Sequence, residues 1–364
     1  VAEEHGLTLL QLACLWNLAH PAVESVIPTL IQEAGEDAKT IHRLLEYNGR
    51  TGQFQRGATQ VLEADGVLID EASMVDIRLM SALLAAVPEG CRFVLVGDAD
   101  QLPSVGPGRV LADIMGSGCI PVATLGEVYR QAADSGIVQN AHRINAGEAP
   151  ISGERDQGRP DFFEIHRQEA VDAAQTLIEV VTSRLPAKGF DPMKDVQVLT
   201  PMHNGVLGTE ALNTALQSAL NPEGPHIKRG SRIFRRGDRI IQLKNDYDND
   251  IFNGDVGTIS AASSGTLSVD FDGRSVVLKG EQLNDIELAY AISIHKSQGS
   301  EYSAVVIALH RAHFVMLRRN LVYTAITRAK RFCCLVGDRW AVRQAVGTAG
   351  GGERWTQLED RLRR

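Results

Sequence analysis

Four short segments carry side chains suited to phosphoryl-transfer chemistry, and they follow one another in a fixed order. They are Leu68-Ile69-Asp70-Glu71-Ala72-Ser73, Val96-Gly97-Asp98-Ala99-Asp100-Gln101-Leu102-Pro103, His295-Lys296-Ser297-Gln298-Gly299-Ser300-Glu301 and Tyr323-Thr324-Ala325-Ile326-Thr327-Arg328-Ala329-Lys330. An apolar run ending in Asp70-Glu71 offers one carboxylate to hold Mg²⁺ through its water shell. The second can orient or deprotonate an attacking water. The same pair could also cap a strand in solvent and do no chemistry. Gln101, after the next apolar run, is an uncharged amide able to bond a γ-phosphate and register its loss. Arg328, and Arg130 in Glu127-Val128-Tyr129-Arg130-Gln131, match phosphate oxygens bidentately, although a lone helical Arg more often makes a surface ion pair. Together the segments describe a nucleotide-driven motor with its site between two α/β domains. Against this stands an absence. The sequence contains no Gly-Lys-Ser or Gly-Lys-Thr, so the loop that should cradle the phosphates is missing.

The elements that must position these groups can be read from the hydrophobic pattern. Gly66-Val67-Leu68-Ile69 and Arg92-Phe93-Val94-Leu95-Val96 are continuous apolar runs of the kind buried in parallel sheets, with a helix expected between them over 74–87. A capped turn at Thr40-Ile41-His42 precedes a small hairpin near 47–62 around Phe54. Helices are expected over 135–143 and 170–184, a polar loop over 151–161, and a helix opened by Thr209 as its N-cap. Val196-Gln197-Val198-Leu199-Thr200-Pro201, the run 304–309 and Phe332-Cys333-Cys334-Leu335-Val336 read as strands of a second doubly wound sheet. Between 230 and 288 the rhythm breaks into short strands at 239–243, 255–259, 266–271 and 275–278, separated by Asn/Asp/Gly turns. That is a small antiparallel barrel inserted in the α/β frame. Residues 1–38 read differently, as a helix then a short strand from Ala22 to Pro28, and the tail 346–364 is polar and expected to fray.

The chain has 364 residues, 44% hydrophobic content and a net charge of −8, which suits two or three globular modules. The acidic balance argues against a surface that grips nucleic acid everywhere, but not against a local basic groove. Such a run exists at Lys228, Arg229, Arg232, Arg235, Arg236 and Arg239, with Phe234 and Tyr247 as stacking neighbours and Arg318-Arg319 further on. A solvated charged face is the alternative. The five cysteines show no Cys-x-x-Cys spacing and read as buried thiols. No secretory or membrane-spanning pattern is present, and a cytoplasmic location is expected.

These motifs, with Leu199-Thr200-Pro201 and Phe252-Asn253-Gly254-Asp255-Val256-Gly257, resemble superfamily 1 helicases of the RecD-like type from about residue 39 to 345. The resemblance implies two RecA-like domains of the P-loop NTPase type. The first would be incomplete and occupy 39–135, the second 136–228 and 287–345, and an SH3-like barrel 229–286. It implies ATP and Mg²⁺ as ligands, with Asp70, Glu71, Gln101, Arg130 and Arg328 catalytic. Gly299 and Glu301 would lie at the nucleotide, and Thr200, Pro201, His295, Lys296, Ser297, Gln298, Arg235, Arg236 and Phe54 on DNA. Single-stranded and duplex DNA would be the partners, movement would run 5′ to 3′, and the hairpin would split the duplex; nuclease-complex subunits are left open. The family's Walker A loop should lie upstream of Thr40. Instead, residues 1–38 resemble a C-terminal segment of aldo-keto reductases, a foreign piece without that family's catalytic residues. The expectation is therefore a helicase impaired in ATP turnover. The alternatives are a non-catalytic single-stranded-DNA-binding remnant and, far behind, a reductase.

Overall fold

The computed structural model describes residues 23–26, 39–49, 51–124, 135–153, 160–246, 249–263, 265–350, 354 and 356–364. Two compact units emerge, one of residues 1–125 with 351–364 and one of residues 126–350.

In the first unit, strand β1 (Val23–Val26) precedes the four-residue helix α1 (Ile41–Leu44), whose N-cap Thr40 accepts from Arg43 N. The expected hairpin follows as β2 (Tyr47–Asn48) and β3 (Gln53–Phe54). Strand β4 (Gly66–Ile69) is buried along its whole length, as a continuous apolar run requires. Helix α2 (Ile77–Ala86) starts at the Asp76 cap, buries Met80, Leu83 and Ala86 on one face, and stops before Pro88. Strand β5 (Arg92–Leu95) and helix α3 (Val110–Ser117) complete the series. The sheet is parallel, in the order β1-β4-β5, with Val26 opposite Ile69 and Ile69 opposite Leu95. Helix α3, after β5, is one that the hydrophobic pattern did not mark.

The second unit begins with α4 (Gly136–Asn145), β6 (Phe162–His166), α5 (Ala170–Glu179), β7 (Val196–Thr200) and α6 (Thr209–Leu220). The N-cap of α6 is Gly208, not Thr209; the Thr209 hydroxyl instead meets His203 Nδ1 at 2.7 Å. The insert contributes β8 (His226–Arg229), β9 (Arg232–Arg235), β10 (Arg239–Gln242), β11 (Val256–Ser263), β12 (Thr266–Phe271), β13 (Arg274–Lys279) and β14 (Ile286–Leu288). Five of these form an antiparallel sheet in the order β13-β12-β11-β10-β14, while β8 and β9 pair as a separate hairpin. Phe234, Ile240, Ile259, Leu267, Val269 and Phe271 fill its core.

The parent sheet then resumes with β15 (Ala291–Ser293), β16 (Tyr302–Leu309), α7 (Arg319–Thr327), β17 (Ala329–Gly337) and α8 (Arg339–Gly347). It is parallel throughout, in the order β15-β7-β16-β17-β6. Cys333 and Cys334 are free and buried, and burial pushes both thiols up, Cys334 to about 12. These two are buried and inert as expected, whereas Cys91 is half-buried and Cys119 is exposed. The tail does not simply fray. A short helix, Leu358–Leu362, packs on α3 in the first unit.

Candidate functional site

The first unit gathers three of the sequence-predicted groups at one sheet edge. Beyond the paired ends of β4 and β5, Val96 N donates to Ile69 O at 2.7 Å and Ala72 N to Val96 O at 2.9 Å. These bonds set Asp70-Glu71 beside Gly97-Asp98 at the carboxyl ends of parallel strands, where α/β sheets place ligands. The approach is close enough to exclude a side chain, since a Cβ at Gly97 would lie 2.9 Å from Ala72 N and 3.0 Å from Leu111 Cδ2.

Asp70 is half-buried, and desolvation raises its pKa although the Glu71 amide, 2.7 Å from Oδ1, pulls it back. A carboxylate short of solvation at a strand end fits Mg²⁺, which takes one or two carboxylates and keeps most of its waters. Among the described residues no cluster of three or more His, Cys, Asp or Glu side chains is placed to hold a metal. A hydrated ion held by one carboxylate does not require such a cluster.

Glu71 occupies the left-handed region at φ 44° and ψ 37°, a conformation that costs a non-glycine residue energy and concentrates at functional sites. Gln101 turns its amide nitrogen towards Asp98 Oδ2 at 3.4 Å and leaves its Oε1 buried with no protein partner. An orphaned buried acceptor calls for a donor from water or ligand. Phe54 sits in the β2–β3 hairpin, half-buried, 5.1 Å from the Tyr47 ring and 5.6 Å from the His42 ring. Arg130 lies outside the described residues, as does Tyr247.

The second unit brings Arg328 to the 299–301 block. Its Nη1 donates to Ser300 O at 3.2 Å, and Tyr302 N donates to Arg328 O at 2.8 Å. The guanidinium is buried, with Nε on Thr324 O at 3.2 Å and Nη2 on Thr327 Oγ1 at 3.3 Å. Gly299 is exposed at φ +74°, and exposed Glu301 pairs with Lys330 at 3.0 Å.

Several residues expected on DNA turn inward. Thr200 is fully buried and donates to Leu207 O, and Pro201 beside it is buried too. Ser297 is fully buried and donates to Ile294 O at 2.8 Å. Their side chains shape the backbone and cannot reach a ligand. The exposed groups at the end of β7 are His203 and Asn204, which the sequence reading missed. His295 is half-buried and burial lowers its pKa, so it is a neutral hydrogen-bonding group rather than a cation. Lys296 is partly exposed, 3.6 Å from Glu287, and Gln298 is half-buried.

The basic run also divides. Arg239 is buried and donates to Val196 O at 2.8 Å and Gln197 Oε1 at 2.7 Å, so it joins the insert to the parent sheet. Arg232 pairs with Glu287 at 3.0 Å, and Arg319 donates to Val346 O. Arg236 is exposed, while Arg235 is half-buried with Nη1 lacking a protein partner.

Comparisons with known proteins match three stretches of the chain. Residues 17–167 match an AAA domain, 212–271 the SH3 domain of ATP-dependent RecD-like DNA helicases, and 288–336 the UvrD-like helicase C-terminal domain. The first match begins at residue 17, so the stretch 17–38, expected as foreign, lies within it, and β1 from that stretch pairs with β4. The ATP-dependent RecD2 DNA helicase of Deinococcus radiodurans is 43% identical over 296 residues, covering 81% of this chain and 39% of the relative. The RecBCD enzyme subunit RecD of Mycolicibacterium smegmatis is 33% identical over 337 residues, covering 90% and 60%. The chain thus spans less than two thirds of either relative's length. Among solved structures, a Pif1 helicase from Bacteroides in complex with ADP-AlF3 and single-stranded DNA shares the fold, with a TM-score of 0.54 at 16% identity over 92% of this chain and 85% of that one. With the RecD-type SH3 module seated between motor-domain segments in the family's order, the chain belongs to the RecD-like helicases.

Proposed function

We propose that this chain is the body of an ATP-dependent DNA helicase that moves 5′ to 3′ on single-stranded DNA. The observation that carries the nucleotide half is the shared end of β4 and β5, with Asp70 and a left-handed Glu71 beside Gly97-Asp98, and Gln101, its oxygen unsatisfied, bonded to Asp98. Asp70 would hold Mg²⁺, which when bound neutralises charge developing on the phosphates. Glu71 orients the attacking water and accepts its proton, and Gln101 hydrogen-bonds the γ-phosphate region. Arg328 and Arg130 stabilise the transferring phosphoryl group, Arg328 after exchanging its internal oxygens for phosphate. Gly299 and Glu301 flank the nucleotide. His295, Lys296, Gln298, Arg235 and Arg236 form the DNA track, joined by His203 and Asn204. Phe54 and its hairpin meet the duplex fork. Subunits of a larger enzyme complex are candidate partners, because one relative is named as a subunit of the RecBCD enzyme.

The missing Gly-Lys-Ser/Thr favours a second reading, a single-stranded-DNA-binding body that does not turn over ATP unaided. A coupled ATPase assay on the 364-residue chain with oligo(dT) tests the impairment, while an effect of ATP on oligonucleotide binding separates the two readings. The expected rate is indistinguishable from the blank, because the β- and γ-phosphates lack their lysine and amide cradle. Turnover at about 1 s⁻¹ or faster, abolished by Glu71→Gln, would refute the impairment and leave the helicase reading standing.

A further inference from the structure

After the second unit ends at Gly350, the chain returns to the first. There Arg354 places a single guanidinium nitrogen, Nη1, 2.8 Å from Ser104 O, 2.7 Å from Gly106 O and 2.8 Å from Gly108 O. Three carbonyl dipoles aimed at one point repel each other unless a cation sits among them. The loop they belong to follows directly on Gln101-Leu102-Pro103. It is wedged against the segment downstream of the acidic pair. Ile77 N donates to Pro107 O at 3.0 Å, and a Cβ at Gly106 would fall 1.8 Å from Asp76 Oδ2, leaving no room for any other residue.

The rest of the tail is anchored elsewhere. Thr356 Oγ1 donates to Asp113 Oδ2 at 2.7 Å, and Arg363 Nη2 donates to Gly116 O at 2.7 Å, both on α3. The polar anchors of the tail on α3 are therefore distinct from the Arg354 bonds to the loop; the Thr356 methyl also lies near Gly108, a contact that valine keeps.

We propose that Arg354 is a positioning residue that fixes the Ser104–Gly108 loop, and through it holds the Gln101 amide at the strand edge beside Asp70 and Glu71. The role rests on the reading of Gln101 as the γ-phosphate contact, but its test needs no nucleotide. Hydrogen–deuterium exchange on the 364-residue chain is compared for wild type, Arg354→Ala, Arg354→Gln, Arg354→Lys and Thr356→Val. Both uncharged variants are expected to speed exchange across 98–108 by about tenfold or more. Lys, with three N–H donors on one nitrogen but a shorter reach, is expected to restore part of the protection. Thr356→Val is expected to loosen 113–119 and the C-terminal helix while leaving 98–108 as in wild type. Unchanged exchange across 98–108 in Arg354→Gln, or equal acceleration there by Thr356→Val, overturns the proposal, because the tail would then be a general brace. Failure of the wild type to bind nucleotide or DNA would sink the helicase reading without altering this comparison.

Discussion

Asp238→Ala is expected to destabilise the second unit by about 3–5 kcal/mol, read as a lower urea midpoint at unchanged slope. Asp238 is fully buried at the turn between β9 and β10. Its Oδ2 accepts from Gln217 Nε2 at 2.5 Å and Arg235 N at 2.6 Å, and its Oδ1 from Asn221 Nδ2 at 2.6 Å and the Tyr290 hydroxyl at 2.8 Å. The Tyr290 phenol stays a donor, since burial and the neighbouring Asp238 carboxylate push its pKa far up. One carboxylate thus ties α6, the barrel and the strand that re-enters the parent sheet. Truncation takes the acceptor from four donors; Gln217 Nε2 and Asn221 Nδ2 each keep a second one, on Ile233 O and Arg236 O, but the loss still outweighs the gain from burying no charge. Asp238→Asn should also be destabilising, because its amide would present hydrogens to two of those donors. A loss below about 1 kcal/mol in the alanine variant would show that solvent replaces the carboxylate and that this junction is not what fastens the insert.

Glu164→Gln is expected to act in the opposite direction, stabilising the chain by about 3 kcal/mol near pH 8 and hardly at all near pH 4. Burial on β6 raises the Glu164 carboxyl from 4.5 to about 7, with Arg339 pulling it partly back. Its side chain is only 11% exposed, its Oε1 has no protein partner, and Oε2 lies 3.6 Å from His166 Nε2. The folded state therefore binds the proton more tightly than the unfolded chain does. Stability is greatest below about pH 4.5 as far as this group is concerned, and falls as pH rises through about 7. Gln removes the titration, so the difference between variant and wild type should grow over that window in denaturation series at several pH values. A constant difference from pH 4 to pH 8 would mean that Glu164 titrates as an ordinary solvated acid.

What the sequence revealed and what it hid have a common physical cause. Continuous apolar runs announced β4, β7, β16 and β17, because a strand largely buried on both faces has no polar alternation to confuse the reading, and the same run marked β5 although that strand is only half-buried. The acids, amide and guanidinium at their ends were legible for the same reason: a polar residue ending such a run stands where the sheet meets solvent. Phe162–His166 escaped because an edge strand carrying Glu164 and His166 lacks that continuity. Motif spacing also fails to say which way a side chain turns. Thr200 and Ser297 look like ligand contacts and are instead buried donors to carbonyls, and Arg239 sits in a basic run yet bonds the interior. The docked tail was invisible because its partners lie about 250 residues away, as between Arg354 and Ser104, and no local pattern encodes a contact of that range.

The helicase reading requires that this chain retain a working single-stranded DNA track. Fluorescence anisotropy with labelled oligo(dT) tests it directly on the 364-residue protein, titrated between about 50 mM and about 200 mM salt. Binding is expected to weaken at least about tenfold over that range, with a shallower salt slope in an Arg236→Ala, Lys296→Ala double variant. No binding at low salt, or binding indifferent to both salt and the two substitutions, would contradict it.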